Sequence, residues 1–327
     1  MRRKRKAFTL VELLVVIAII ALLMGILKPA LAMVRLNSFR MACEANLSDL
    51  GRAMLIYAND CDNDFPRAGF VGTMWADRVI SWSAADRGTA FAGTPTATCC
   101  GQATVSSSLY CLVKYAEVTT KSFVCSGMPS ITAFKASDYI TDFEDEDAWD
   151  FGPSSWPNNI GPYNHCSYSY HMPYNQRFLS LASSEPGMAV AADRNPFLDP
   201  FTYSDNFVWN SYCPAPPPYE YLKIYQLGNA GAHEREGQNV LYMDIHVGFE
   251  KQSFCAVDDD NIYTYWDASV PAKQQGRPPI CDAYDMSQPV GATDSLLVNE
   301  CGPDPGGGTG TGTGGTAPPP PPPPPPT

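Results

Sequence analysis

From Phe8 to Leu27 the chain runs for 20 residues with one charge, Glu12. As an α-helix this run is roughly 30 Å long, at about 1.5 Å per residue, which matches the hydrocarbon thickness of a bilayer. A helix that is apolar on every side belongs in a membrane or at the centre of a large core. Arg2, Arg3, Lys4, Arg5 and Lys6 precede the run, and Lys28-Pro29 closes it. That basic flank predicts a cytoplasmic N-terminus and an exported body.

The charge is divided along the same line. The 327 residues carry 22 Lys and Arg against 34 Asp and Glu, a net −12. Five of those basic residues lie in the first seven positions, so the rest carries 17 against 34. A body this acidic excludes a general nucleic-acid binder, which needs a basic surface. A hydrophobic fraction of 45% excludes wholesale disorder.

Three readings of the N-terminus compete. A cleaved secretory signal has a shorter apolar region followed by a small-x-small site, and Ala30-Leu31-Ala32 offers only a poor one. A plain signal anchor fits the length but leaves Glu12 unexplained. A charged side chain deep in a membrane helix costs about 2.5–3.5 kcal/mol on insertion scales and is usually functional.

The third reading rests on Lys6-Ala7-Phe8-Thr9-Leu10-Val11-Glu12-Leu13-Leu14-Val15-Val16-Ile17-Ala18-Ile19-Ile20. This stretch resembles the class III signal of type IV pilins and type II secretion pseudopilins. The resemblance implies cleavage by a prepilin peptidase between Ala7 and Phe8, methylation of the new N-terminus at Phe8, and retention of the membrane helix. Ala7 stands where the family usually has glycine. The resemblance also implies an assembly role for Glu12, which would meet the free amine of a neighbouring subunit and so offset the cost of both buried charges. Pro29 falls where pilins often carry a helix-kinking proline, so a bend or local melting is expected there.

Beyond Pro29 the pattern is that of an amphipathic helix. Leu31, Val34, Met41, Leu47, Leu50, Met54 and Leu55 recur at helical spacing among Arg35, Arg40, Glu44, Asp49 and Arg52. Its lower half is expected to pack on the body and its upper half on other subunits. Asp60, Asp62 and Asp64 copy the start of a calcium loop. Phe65 and Val71 replace its glycine and glutamate, so a helix-ending turn is favoured.

The body has short apolar runs and no long helical period. Met188–Ala192 reads as a strand, and Asn239–Met243 with His246–Phe249 as a hairpin about Asp244-Ile245. Gly88–Ser108 and Asp138–Pro162 read as insertions. The expected fold is α+β: a long N-terminal pilin-like helix on an antiparallel β-sheet, with large loop insertions and a disordered C-terminal tail. The segments are a leader (1–7), a membrane helix (8–27), an amphipathic helix (28–60), a globular domain (61–301) and a Gly/Thr and poly-Pro tail (302–327). The nine prolines Pro318–Pro326 form a rod of roughly 28 Å, at about 3.1 Å per residue.

His233-Glu234-Arg235-Glu236-Gly237-Gln238-Asn239-Val240-Leu241-Tyr242-Met243-Asp244-Ile245-His246-Val247 resembles the C-terminal signature of large pseudopilin-like proteins of planctomycetes. Phe123-Val124-Cys125 and Ala192-Asp193-Arg194-Asn195-Pro196 resemble segments of the same proteins. Ile245 stands where that signature has glycine, and a β-branched residue resists the positive φ of a tight turn.

Eleven cysteines in an exported body point to disulfides. Adjacent Cys99 and Cys100 are expected to take different partners. Cys43 and Cys61, about 27 Å apart on one straight helix, cannot bond to each other. The odd total leaves one thiol over, with Cys43 on the stem helix as a candidate and a buried thiol as the stronger alternative. Asp193, His233, Asp244 and His246 are the candidate metal ligands, although structural histidines are commoner and no HExxH spacing occurs. No cofactor is predicted; a structural calcium would choose Asp142–Asp150 or Asp258–Asp260. No Gly-x-Ser-x-Gly motif or nucleophile set supports catalysis.

The function expected is a structural subunit of a type II secretion pseudopilus or type IV pilus-like filament. Its partners would be prepilin peptidase, other pilin or pseudopilin subunits, the inner-membrane assembly platform and the membrane, with no nucleic acid. Its location would be the bacterial inner membrane, single-pass with a periplasmic or extracellular body, and then the filament. The alternative is a membrane-anchored cell-envelope binding module whose Tyr and Trp loops grip a glycan or protein.

Overall fold

The computed structural model describes residues 10–70, 72–76, 78–92, 101–153, 161–174, 180–181, 184–198, 228–266, 276–279 and 288–300. The Ala7–Phe8 junction, the Cys99-Cys100 pair and the tail 302–327 lie outside the described residues.

A single helix, α1 (Leu10–Asp60), takes up the first part of the described chain. It stays helical through Pro29, so the local melting that a missing donor allows does not occur there. Its C-terminal part buries Cys43, Leu47, Leu50, Met54 and Ala58 completely. Steps of three and four residues put these side chains on one face, and that face meets the body. Of the expected stripe, Leu47, Leu50 and Met54 face inward, whereas Leu31, Val34 and Met41 stay exposed. The helix ends as Cys61 N and Asn63 N both donate to Ala58 O, at 3.2 and 2.9 Å. Asp62 and Asn63 take positive φ, so residues 60–64 form the expected turn.

The strands are β1 (Met74–Trp75), β2 (Gln102–Ala103), β3 (Tyr168–His171), β4 (Ala189–Asp193), β5 (Gln238–Tyr242), β6 (Val247–Glu250), β7 (Tyr265–Trp266), β8 (Gly276–Arg277) and β9 (Leu297–Val298). Five of them form one antiparallel sheet in the order β6-β5-β4-β3-β9, on which α1 lies. The fold is therefore α+β. Every residue of β4 and β5 is buried, which is why β4 reads Ala-Val-Ala-Ala rather than alternating with polar residues. The β5–β6 hairpin forms where the sequence places it, pairing Leu241 with Val247. Its turn keeps the conformation glycine would favour: Ile245 stands at φ 69° and donates its N–H to Tyr242 O at 2.9 Å.

Of the stretch Gly88–Ser108 the structure describes residues 88–92 and 101–108, and these are regular. They hold most of α2 (Arg87–Ala92), all of β2 and the first turn of α3 (Val105–Ala116), a helix that packs on α1. Thr104 caps α3 by accepting from Ser107 N at 3.0 Å, and Glu117 closes it in the left-handed region. Its three serines are buried and engaged. Ser106 Oγ donates to Asp150 Oδ1 at 2.8 Å, Ser107 Oγ to Thr104 O at 2.7 Å, and Ser108 Oγ meets Tyr174 Oη at 2.9 Å. Burial pushes the Asp150 carboxyl up to about 7, against the hydrogen bonds from Thr104, Phe151 and Ser106. Burial also pushes His171 on β3 down to about 4.

Candidate functional site

Two features of α1 set the functional question, one along each half. From Leu10 to Val34 every described side chain is exposed, with Leu10 at 79% and Leu22 at 70%. Each Val, Leu or Ile moved out of water here is worth about 1.5–3 kcal/mol. A surface of this kind serves a membrane or another apolar helix rather than solvent. The apolar part of α1 is long and hydrophobic enough to cross a membrane. Glu12 lies in the first turn, where the exposed N–H groups of the helix favour a carboxylate.

The other half is held to the body by a set of specific contacts. Asn46 Nδ2 donates to Val124 O at 3.1 Å and to Tyr168 Oη at 3.2 Å. Arg40 pairs with Glu236 and lies over the Phe249 ring, 4.5 Å from its centroid. Cys43 is joined to Cys125 by a disulfide across a Cα–Cα distance of 5.3 Å. Cys43 is thus bonded and is not the leftover thiol. Among the described residues Cys61, Cys111, Cys166 and Cys255 are free, and Cys111 and Cys166 are buried. Burial pushes both of those thiols up to about 12.

Beside that disulfide sits a buried polar cluster. Asp193 ends β4, Asn239 comes from β5, and His233 from the 3-10 turn Gly231–His233. All three are essentially inaccessible. His233 Nε2 lies 3.2 Å from Asp193 Oδ2, 3.1 Å from Asn239 Nδ2 and 3.8 Å from Cys125 Sγ. Asn239 N donates to Asp193 Oδ2 at 2.7 Å, and Gly127 N to Cys125 Sγ at 3.4 Å. Gly127 lets the Cys125 loop press on the histidine's turn, since a Cβ there would stand 2.1 Å from Ala232 O. Glu234 and Arg235, just after the histidine, both take positive φ. Two consecutive non-glycine residues in that region cost about 1–3 kcal/mol each and aim His233 inward.

The four metal candidates from sequence divide into two pairs. Asp193 and His233 meet in this cluster. Asp244 and His246 sit on the exposed β5–β6 turn, where they hydrogen-bond to each other and His246 stacks on Tyr242 at 4.4 Å. The sequence reading missed Cys43, Cys125 and Asn239 as members. The segments Phe123–Cys125, Ala192–Pro196 and His233–Val247 were recognisable separately, and their convergence is a property of the fold. In the acidic runs, Asp145 accepts from Ala136 N at 2.7 Å and Asp260 from Ser295 N at 2.6 Å. Among the described residues, the group of ligating side chains close enough to share an ion is Cys43, Cys125, Asp193 and His233.

Residues 2–27 match the family described as the prokaryotic N-terminal methylation motif. No curated protein and no solved structure matches the chain significantly. The motif supports a type IV pilin- or pseudopilin-like protein, and it implies processing by a prepilin peptidase and assembly with other pilin subunits.

Proposed function

We propose that this chain is a structural subunit of a type II secretion pseudopilus or a type IV pilus-like filament. Prepilin peptidase cuts between Ala7 and Phe8, and Phe8 is methylated. The subunit waits in the inner membrane with its N-terminus cytoplasmic and its body periplasmic, until the assembly platform feeds it into the filament. There the apolar half of α1 packs against the same half of its neighbours, and Glu12 meets a neighbour's terminal amine. The carrying observation is the exposure of α1 on all sides from Leu10 to Val34, a stretch that overlaps the N-terminal methylation motif at residues 2–27.

The body fits a structural role. Among the described residues a cluster of its aromatic side chains packs together, with Phe134 meeting Trp82, Tyr110, Tyr139 and Phe151 at ring centroids 5.7–6.2 Å apart. N-terminal sequencing of protein made with and without prepilin peptidase tests the reading. The expected result is a methylated N-terminus at Phe8 only when the peptidase is present. An intact N-terminus in both samples would sink it.

A further inference from the structure

We propose that Cys43, Cys125, His233 and Asp193 form a redox-gated site for one zinc-class divalent cation, with the disulfide as its oxidised state. The four ligand atoms lie within 4.8 Å of one another, and all four residues are buried. A tetrahedron with metal–ligand bonds of about 2.0–2.3 Å has edges of roughly 3.3–3.8 Å. His233 Nε2 to Cys125 Sγ, at 3.8 Å, has that size, and His233 Nε2 to Asp193 Oδ2, at 3.2 Å, falls just under it.

The hydrogen bonding around Nε2 supplies an independent reason. If Nε2 carries no proton, its lone pair accepts from Asn239 Nδ2 but points at a carboxylate oxygen 3.2 Å away. If it carries one, the proton joins Asn239 N at 2.7 Å and Asn239 Nδ2 at 3.4 Å on the single oxygen Asp193 Oδ2, with the two side-chain donors only 3.1 Å apart. Exchanging the two amide atoms of Asn239 only moves the conflict. Asp193 Oδ1, His233 Nδ1 and Asn239 Oδ1 are all buried without a hydrogen-bond partner. A cation facing Nε2, Oδ2 and both sulfurs removes the repulsion by giving each lone pair the same acceptor.

The ligand set selects the ion. Two thiolates and an imidazole suit a borderline-soft metal that accepts tetrahedral geometry, and a single carboxylate is too little for calcium. The Gly127 N–H aimed at Cys125 Sγ and the Asn239 N–H on Asp193 Oδ2 support the ligands from behind. A dithiol reductant opens the disulfide by exchange: it is oxidised to its own disulfide, and Cys43 and Cys125 become two thiols. The thiols then release two protons and take up the cation. Either state ties α1 to the β4–β5 end of the body.

The test uses the full chain in detergent, treated anaerobically with a dithiol reagent and then equilibrated with zinc or cobalt(II). Reduced protein should retain one zinc per chain, and oxidised protein or a Cys43→Ser/Cys125→Ser variant should retain none at this site. Cobalt should give thiolate charge-transfer absorption and the intense visible bands of a tetrahedral ion, a readout that needs no variant. His233→Ala should weaken zinc binding more than about 10-fold, with circular dichroism confirming that the body stays folded. Reduced wild-type protein that retains no more zinc than the double serine variant would overturn the proposal. So would a cobalt spectrum without sulfur ligation.

Discussion

Gly51 on α1 lies so close to Leu241 on β5 that an added Cβ would stand 2.8 Å from the leucine Cδ1 and 3.0 Å from Ile245 Cγ2. Glycine at this point sets how deeply the helix sits on the sheet. A larger residue gains up to about 1 kcal/mol of helix propensity but must push the helix away, and overpacking of this kind costs about 1–3 kcal/mol. Gly51→Val, β-branched and so without much propensity gain, should lose about 2 kcal/mol, or roughly 4–8 °C in Tm. Ile245→Gly relieves the positive φ and vacates the Cγ2 position, so the double variant should recover part of that loss. Thermal melts of the four proteins check both points. Strict additivity would show that the two residues do not compete for this space. Gly25→Ala, with no atom near its added Cβ, should leave the body's Tm unchanged.

The Cys43–Cys125 bond closes a separation of 82 residues, so it removes much freedom from the unfolded chain. Its loss should cost about 2–5 kcal/mol. With metal excluded by a chelator, Cys125→Ala should lower the urea midpoint accordingly. It should also free the stem of α1, which limited proteolysis would detect as earlier cleavage between the membrane segment and the body. An unchanged midpoint would mean that Asn46, Arg40 and the Leu47–Met54 face hold the helix by themselves.

How far the sequence revealed this arrangement depended on the range of each signal. The apolar run of α1 and the hairpin of Asn239–Met243 with His246–Phe249 are local patterns, and both stood out. The helix α3 did not, because Ser106, Ser107 and Ser108 read as a loop. Their hydroxyls are satisfied by neighbouring Thr104 and by Ala68, Asp150 and Tyr174, which the folded chain brings to them. The two-residue strand β9 carries too little pattern to recognise and exists through its pairing with β3. The buried cluster shows the same division. Asp193 and His233 were visible as residue types within recognisable segments. Asp244 and His246 were grouped with them as residue types, yet the hairpin carries these two to the exposed turn. Cys43 looked like a spare thiol on an exposed stem because its partner is far away in sequence.

Two buried groups oppose each other in the acid range. Asp150, raised by burial from 3.8 to about 7, keeps a proton in the native state that the unfolded chain releases above about pH 4. Its contribution is fully present below that point and is lost as pH rises through about 7. His171, lowered by burial from 6.5 to about 4, refuses a proton that the unfolded chain accepts. Its contribution is present above about 6.5 and is lost as pH falls through about 4. Each slope is on the order of 3 kcal/mol across the window, so they largely cancel. Asp150→Asn should unmask stability that climbs with pH, and His171→Gln stability that falls with pH. Urea midpoints from about pH 4 to about pH 7 measure the two slopes; equal slopes in both variants would contradict the assignment.

Glu12 carries the last prediction. It is the only charge between Leu10 and Leu27, and it stands in the first turn of a helix exposed along its whole apolar length. In the proposed pathway insertion depends on the apolar run and on the basic flank, and peptidase processing on the residues at the Ala7–Phe8 junction. Neither needs the carboxylate. Assembly does, if a neighbour's terminal amine must be paired inside an apolar bundle, because an unpaired buried charge costs about 3–5 kcal/mol. Glu12→Ala protein should therefore reach the membrane and be processed normally, while its share in sheared or secreted filaments falls more than about 100-fold. Glu12→Asp keeps the charge on a shorter arm and should restore part of it. Immunoblots of membrane and filament fractions separate the steps. Wild-type incorporation of Glu12→Ala would remove the carboxylate from the assembly mechanism and leave apolar packing of α1 to drive it alone.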